Sequence, residues 1–443
     1  MSGSDARDLA RRVLELVPAG VEAQVRVEAR SSGLTRFANS FIHQNVADEG
    51  TEITLTVATG KQVASAAAHV ADDDGLARFV GSVVDASSIA PEMSDWPGLR
   101  ADDDVTGHTA PSDPVGPDTR ADVVSAFVAA APDLNAAGYC ETEHAEVVLM
   151  NTAGLVAHGN AAGAIVDGIH RTPTSAGSGH AASRRFADLD GGAVGATAAD
   201  RARRSADTTD VDAGAYEVVL APDAVGTIAL FLAFYGFNGK QVAEGQSFVR
   251  VGEQQFDPAF ELIDDGSDAD SFGPGFDAEG TPKRRVELIT NGVTRTVCVD
   301  RRQAERLEAE STGHAASFFG SYMGPIPTDM RVSAGTQTVD ELIADVDRGL
   351  YVSTFNYCRI LDPRTTVTTG LTRNGVFIIE HGEIVGAASN LRFTQSFAEA
   401  VRPGNVLGVG SDARLADAEF SPGLVRAPSL RLKSWRFTGG ASG

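Results

Sequence analysis

The histidines are the side chains best suited to hold a catalytic metal, and their spacing is informative. The nine of them stand at positions 43, 69, 108, 144, 158, 170, 180, 314 and 381, and none precedes a Glu. A hydrolytic zinc site needs about three protein ligands and an open position for water, and two ligands one helical turn apart supply most of its geometry. The sequence contains no such pair. A site assembled from histidines distant in sequence stays open.

The acidic run at residues 264–270 is a second candidate, for calcium. Counted from Asp268, two Asp, a Gly and the final Glu279 partly match an EF-hand loop. However, Phe272 and Pro274 occupy two positions that should supply ligands, and the flanking residues predict strands rather than helices. We therefore expect a solvated acidic turn.

Nucleophile signals are weak throughout the chain. No Gly-x-Ser-x-Gly stands in the strand-to-helix setting of a nucleophile elbow. Ser311 and His314 lie three positions apart without a visible third partner, so we expect a loop that hydrogen-bonds its own backbone. Cys298 falls in an alternating strand, where a packed thiol is the simplest interpretation. Glycine pairs such as Gly236 and Gly239 lack a Walker or dinucleotide pattern, so nucleotide binding is not supported.

Composition excludes several classes of protein. The net charge of −23 and the pI near 4.7 argue against a nucleic-acid partner, because phosphate binding needs clustered cations. No apolar run reaches the ~20 residues that a membrane span needs, and the N-terminal stretch lacks the apolar core of a signal peptide. The three cysteines are widely spaced, which favours buried, reduced thiols. We expect a cytoplasmic protein.

Residue patterns then place the elements. The N-terminal part predicts a helix, a meander of antiparallel strands and a second helix, at 4–17, 21–30, 34–48, 51–60, 61–68 and 71–87. The middle part predicts a helix, two strands joined by a Thr-Ala-Gly turn, a loop and a helix, at 121–132, 138–171, 174–185 and 199–207.

The C-terminal part reads as mostly β. A strand at 216–222 precedes an apolar helix at 223–237, with Asp223 as its N-cap. Hairpin turns are predicted at Asn291-Gly292 and His381-Gly382. The fold class is therefore α+β: an N-terminal domain of antiparallel sheet and helices, then a β-rich C-terminal domain. We divide the chain into an N-terminal domain (1–90), a linker and middle domain (91–213) and a C-terminal domain (214–443).

Several blocks resemble the TldD/PmbA family, in which TldD and TldE (PmbA) subunits form a peptide-cleaving complex. The blocks begin LTRFANSF (34–41), LFLAFYGFNGKQVAEGQSF (230–248), LIDDGSDADSF (262–272), STGHAASF (311–318) and GLYVSTF (349–355), and the chain closes on SWRFTGG. In the TldD subunit the second block carries an H-E-x-x-x-H helix. Counting back from Glu244-Gly245, its metal-binding positions correspond to Gly236, Phe237 and Gln241, none of which can bind a metal. The late cysteine ligand of TldD is also missing, since the corresponding stretch 411–430 contains no Cys.

The resemblance gives the segment 276–282 two interpretations, because it matches a family signature close to a groove between subdomains. In one, Gly280 permits a tight turn while Asp277 and Glu279 cap backbone amides. In the other, these carboxylates face a substrate or a second subunit. The aromatic residues 231, 234, 235 and 237 are expected to provide core and interface packing where TldD has a metal cage.

The resemblance implies a non-catalytic TldE-type subunit without cofactor, paired with a TldD-type subunit that holds zinc, acting together on unfolded or short peptides. A partner interface in the β-rich C-terminal domain is expected. The alternative is a stand-alone peptide-binding or scaffold homodimer, and a third interpretation is an active hydrolase with an unrecognised site.

Overall fold

The computed structural model describes residues 3–70, 72–101, 104–109, 111, 115–316, 322–419 and 421–440. The last two residues of STGHAASF lie outside these ranges. Within them the helices are α1 Gly3–Glu15, α2 Asp73–Ile89, α3 Pro117–Ala129, α4 Gly191–Arg204, α5 Pro222–Tyr235, α6 Gly239–Ala243, α7 Arg301–Arg306, α8 Val339–Ala344 and α9 Phe397–Ala400.

The first seven strands form one sheet. They are β1 Glu22–Ala38, β2 Phe41–Thr59, β3 Gln62–Ala68, β4 Asp104–Thr106, β5 Asn135–Asn151, β6 Val156–Arg171 and β7 Ala176–Ser183. Their order is β3-β2-β1-β5-β6-β4, and β7 also pairs with β6. Alternate residues of β1, including Val25 and Val27, are buried beneath α1 and α2, as a half-buried strand requires.

Strand β1 differs from the prediction. Ser31-Ser32-Gly33 does not form a turn, because β1 pairs with β2 on one side and with β5 on the other throughout this stretch. The chain turns instead at Asn39 and Ser40, whose φ angles are 51° and 64°. The same pairing joins residues before and after position 90 in one sheet, so the predicted domain boundary there lies inside a continuous structural unit. The predicted loop 174–185 is wrong as well, since most of it forms β7.

The remaining strands build two further sheets. They are β8 Thr208–Thr209, β9 Gly214–Leu220, β10 Leu262–Asp265, β11 Arg285–Thr290, β12 Val293–Thr294, β13 Met330–Val332, β14 Arg348–Asp362, β15 Val367–Glu380, β16 Glu383–Ala388, β17 Leu391–Ser396, β18 Val406–Val409, β19 Arg414–Ala418, β20 Ser421–Ala427 and β21 Leu430–Gly440. One sheet has the order β12-β11-β10-β13-β20-β19, and the other has the order β14-β9-β21-β17-β15-β16-β8. Because β14 also pairs with β15, the strands β14, β9, β21, β17 and β15 close into a ring.

Local turn chemistry is confirmed at both hairpins. Asn291 and Gly292 have φ angles of 51° and 73°, and His381 and Gly382 have 51° and 82°. Two successive positive φ angles are the type I′ geometry that matches the twist of paired strands. The α+β fold class is confirmed.

Helix α5 is the centre of the largest core. Every residue from Pro222 to Ala233 is buried, which matches its almost wholly apolar sequence. The predicted N-cap is wrong. Ala221 occupies that position with Pro222 after it, and the Asp223 carboxylate instead accepts hydrogen bonds from Arg414 Nη2 (2.7 Å) and Asp417 N (2.9 Å). A buried carboxylate is stabilised more by a cation than by an amide of its own helix.

All three cysteines are buried and unpaired. No helix of the described residues is long and apolar enough to cross a bilayer.

Candidate functional site

A groove runs between the N-terminal sheet and the loop at residues 271–282. Its larger part is a cavity of about 550 Å³ between β5 and β6 on one side and this loop on the other. A second cavity of about 370 Å³ continues it, and the two share Arg26, Ala278, Ala315, Ala316 and Gly324. The groove therefore has residues from both halves of the chain in its walls.

Backbone contacts hold the loop against the sheet. Ala162 N donates to Phe272 O at 2.9 Å, and His108 N donates to Pro274 O at 3.0 Å. The approach is so close that a Cβ at Gly159 would lie 2.3 Å from Pro274 O. A glycine is required there because any side chain would push the loop away from β6.

Asp277 organises the turn that follows. One of its carboxylate oxygens accepts from Glu279 N (2.9 Å) and Thr281 N (2.8 Å), and the other accepts from Ala315 N (2.9 Å). Burial raises its pKa even though these amides oppose the effect. Gly280 has φ +75°, and a Cβ there would meet a methyl of Leu155 at 2.5 Å. Both residues therefore do what the structural interpretation of this segment predicts.

Glu279 faces the groove. It lines the smaller cavity, and its Oε2 accepts from Arg301 N at 3.1 Å. Burial and the neighbouring Asp277 and Asp300 raise its pKa to about 8. A carboxyl group that keeps its proton near neutral pH can donate a hydrogen bond, for example to a peptide carbonyl.

The acidic run and the Ser311–His314 segment meet beneath the groove, which sequence reasoning missed. His314 Nε2 donates to Asp264 Oδ2 at 2.7 Å, and both side chains are fully buried. The other imidazole nitrogen lies 2.9 Å from Thr312 Oγ1. The expected solvated turn is therefore wrong at Asp264, and His314 bonds to a distant carboxylate rather than only to its own loop. Each segment had been noticed, but nothing local in either indicates a contact across 50 positions.

The resulting Thr312–His314–Asp264 series resembles a nucleophile triad only in its residue types. Thr312 is 4% exposed, and its hydroxyl is already bonded to both the N–H and the C=O of Val299. A nucleophile must reach the substrate carbonyl, and this hydroxyl cannot. Burial opposes ionisation of Asp264, but His314, Lys283 and the backbone amide of Asp329 together lower its pKa to about 2. The hydrogen-bonded pair is a buried support for the groove floor.

The three positions that correspond to the family metal helix lie in the segment that brings Lys240 to the wall of the smaller cavity. Helix α5 stops at Tyr235, and a new short helix, α6, begins after Asn238, whose side chain accepts from Lys240 N. Phe237 is fully buried against Phe248 and Phe256, with ring centroids 6.5 and 6.1 Å away. Phe237 does not line the groove, but Lys240, three residues later in the chain, does.

Packing leaves no room for a larger side chain at Gly236. A Cβ at Gly236 would lie 2.3 Å from the Phe248 ring. Gln241 is partly exposed, and its backbone carbonyl accepts from Gln246 N (2.8 Å) and Ser247 N (3.1 Å). The predicted aromatic packing is observed: Phe231 is 5% exposed, and residues 234 and 235 pack partly buried against the same core.

A family model for the PmbA/TldA metallopeptidase C-terminal domain matches residues 213–439. The chain belongs to the TldD/PmbA family. The structure of TldE from Thermococcus kodakarensis has the same fold, with a TM-score of 0.84 and 18% identity over 98% of this chain and 99% of that one.

Two curated relatives of this chain are named as metalloproteases. One from Methanothermobacter thermautotrophicus is 25% identical over 225 residues, or 50% of this chain and 48% of the relative. A TldD homologue from Buchnera aphidicola is 24% identical over 237 residues, or 50% and 47% of the two chains. The chain thus spans about half the length of these relatives, and the resemblance predicted from the sequence is confirmed at the level of the family.

Rebuilding the metal helix by Gly236→His, Phe237→Glu and Gln241→His should give an unstable, inactive protein. Phe237→Glu places a carboxylate in an aromatic cluster, which should lower the free energy of unfolding by at least about 3 kcal/mol. Urea unfolding measures this, and Gln241→His alone, at a partly exposed position, should change it by less than about 0.5 kcal/mol. A triple variant as stable as the parent that hydrolyses peptides would contradict the packing argument.

Glu279→Gln should flatten the dependence of stability on pH. The pKa of Glu279 is about 8 in the folded chain against 4.5 in a free side chain, so its contribution is complete below pH 4.5 and is lost as pH rises through 8. Gln does not titrate, so the variant should gain about 1–2 kcal/mol over the parent between pH 5 and pH 8, after allowing for partial solvent screening. Chemical denaturation at both pH values measures this.

The exposed Glu305→Gln is the matched control, because Glu305 lies nearby on α7 and undergoes the same substitution. The free energy of unfolding of Glu305→Gln should change with pH in the same way as that of the parent. If Glu279→Gln also shows the pH dependence of the parent, Glu279 is ionised in the groove.

Proposed function

We propose that this chain is a non-catalytic, TldE-type subunit of a TldD/TldE-type metallopeptidase complex that cleaves unfolded or short peptides. Family membership and the TldE fold support the proposal. The observation that carries it is the aromatic packing of Phe237 and the closure of Gly236 by Phe248 at the metal positions. An intact groove beside a filled metal position fits a subunit that binds while its partner catalyses.

In this proposal the zinc belongs to the TldD-type partner, where it polarises the scissile carbonyl and activates a water. This chain contributes a wall of the peptide-binding chamber. A protonated Glu279 can donate to a peptide carbonyl, and Arg26 and Lys240 in the walls suit peptide carbonyls or a carboxylate terminus. None of these contacts requires a metal in this chain at positions 236, 237 or 241.

Exposed apolar residues in the C-terminal domain suit a partner interface. Tyr357 and Leu361 on β14 are 67% and 60% exposed, and Arg359 lies over the Tyr357 ring at 4.9 Å. Aromatic, apolar and Arg side chains in one place are typical of interface centres. We propose that the TldD-type partner contacts this part of β14, in agreement with the C-terminal interface expected from the family resemblance.

Co-expression with a TldD-type homologue carrying an intact H-E-x-x-x-H helix tests the proposal. The two chains should co-elute in size-exclusion chromatography, and the complex should cleave an unfolded peptide faster than either chain alone. Leu361→Lys should weaken the complex at least about tenfold, since a buried interface would then contain a charge. Val385→Lys, on β16 and 56% exposed, is the matched control and should leave the affinity unchanged.

A second candidate is a stand-alone peptide-binding or scaffold homodimer, and one observation favours it. The outer edge of β2 from Phe41 to Gly50 has no neighbouring strand among the described residues, because β3 pairs only from Ile53 onward. Such an edge can pair with a second copy. Three results together would favour the homodimer over the subunit role. The two chains would elute separately at micromolar concentration, the homologue would be fully active alone, and this chain would elute as a dimer.

A further inference from the structure

Three side chains outside the groove lie close enough to hold one ion. They are Asp167 on β6, His180 on β7 and Asp417 on β19, and one ligand atom from each lies within 4.8 Å of the others. His180 Nδ1 is 3.2 Å from Asp167 Oδ2. The cluster therefore joins the N-terminal sheet to the C-terminal domain, and its members are separated by up to 250 positions in sequence.

Within the described part of the chain, no Lys or Arg side chain forms an ion pair with Asp167 or Asp417. The nearby guanidinium groups are directed to Asp223, with Arg414 Nη2 2.7 Å and Arg201 Nη1 4.0 Å from its Oδ2. Asp417 forms no ion pair within the described part of the chain, although its backbone N–H donates to Asp223.

The imidazole gives an independent sign of a missing ligand. The His180 side chain is only 2% exposed, and its Nε2 is buried without a hydrogen-bond partner in the structure. A buried polar nitrogen without a partner is costly, and such atoms in folded proteins call for an explanation such as an ion.

We propose that Asp167, His180 and Asp417 bind a divalent first-row transition-metal ion, with Zn²⁺ the best match. One imidazole nitrogen and two carboxylate oxygens form the mixed donor set that zinc accepts with three protein ligands. Calcium and magnesium prefer sites made wholly of oxygen, so they should bind here more weakly. The cation neutralises the paired carboxylates and satisfies the imidazole at the same time.

Access to this site is from the C-terminal domain. Asp417 lines a cleft of about 940 Å³ whose other walls include Ser178, Thr354, Asn356 and Arg373. An ion can enter from this cleft, and a fourth coordination position can hold a water on that side. The site uses none of positions 236, 237 and 241, and a metal bound here would overturn the expectation of a chain without a cofactor.

Metal binding to the purified full chain, stripped with a chelator and dialysed, tests this inference. Isothermal titration with Zn²⁺ should give about one high-affinity site per chain, with Mg²⁺ and Ca²⁺ giving at least about tenfold weaker binding. Zn²⁺ should also raise the melting temperature, because a ligand that binds only the folded state stabilises it. Neither readout involves peptidase activity or a partner, so failure here leaves the proposed subunit role untouched.

Variants decide whether these residues are the ligands. Asp417→Asn, an isosteric change at the edge of the cleft, should weaken Zn²⁺ binding at least about tenfold and abolish the thermal shift. His180→Asn should do the same, with circular dichroism to verify folding. His158→Gln is the matched control: His158 lies on β6 and contacts Glu146 at 2.9 Å but has no third ligand.

Parental Zn²⁺ affinity in His158→Gln, together with the losses at Asp417 and His180, would establish the site. The inference is overturned if the parent chain binds no Zn²⁺ at micromolar concentration. It is also overturned if a folded Asp417→Asn binds Zn²⁺ as tightly as the parent, or if Ca²⁺ binds more tightly than Zn²⁺.

Discussion

The buried carboxylate of Asp264 is the interaction on which the groove depends. One of its oxygens accepts from Thr328 N and Asp329 N, both at 2.7 Å, and the other accepts from His314 Nε2. A carboxylate taken out of water is tolerated only when its oxygens accept hydrogen bonds. Here three donors satisfy both oxygens, so three separate segments of the chain are held at one point beneath the groove.

Hydrogen bonds continue outward from that point to the groove wall. Ala315, next to His314, donates to Asp277, and Asp277 in turn holds the amides of Glu279 and Thr281. Arg301 N donates to Glu279, and the Arg301 guanidinium donates to Gly98 O (2.7 Å) and Pro97 O (3.1 Å). The groove is thus built on a continuous polar network that reaches from β10 to the N-terminal half.

Local sequence patterns predict the structure correctly where neighbouring residues determine it. The two hairpins follow from Asn-Gly and His-Gly at turn positions, and α2 follows from the acidic residues at its start. Where distant residues decide it, local patterns failed. Ser-Ser-Gly looks like a turn, but two neighbouring strands hold this part of β1 straight.

The same limit applies to the charged residues. Asp223 resembles an N-cap in the sequence, but its carboxylate pairs with a guanidinium group 191 positions away. His314 and Asp264 were each noticed separately, and only the fold brings them together. The turn roles of Asp277 and Gly280 were predictable, because capping and positive φ are properties of a few adjacent residues.

The residues at positions 236 and 237 and the groove floor are held by separate contacts in this fold. Phe237 packs in an aromatic cluster with Phe248 and Phe256, while the Asp264 network supports the groove floor. A change at position 237 can therefore be absorbed by apolar packing without disturbing the polar wall.

The closed ring of strands has a consequence for how the chain reaches its native state. Closure requires β9 to pair with β21, which places Tyr216 opposite Trp435, 219 positions later in the sequence. The stacking of Phe355 on Trp435 and the edge-on contact of Phe393 with Trp435 can form only when β14, β17 and β21 have come together. Such a non-local loop must be closed before its contacts are gained, so ring closure should be a slow, late step of folding. Until then the aromatic side chains are exposed to solvent, and the partly folded chain is prone to aggregate.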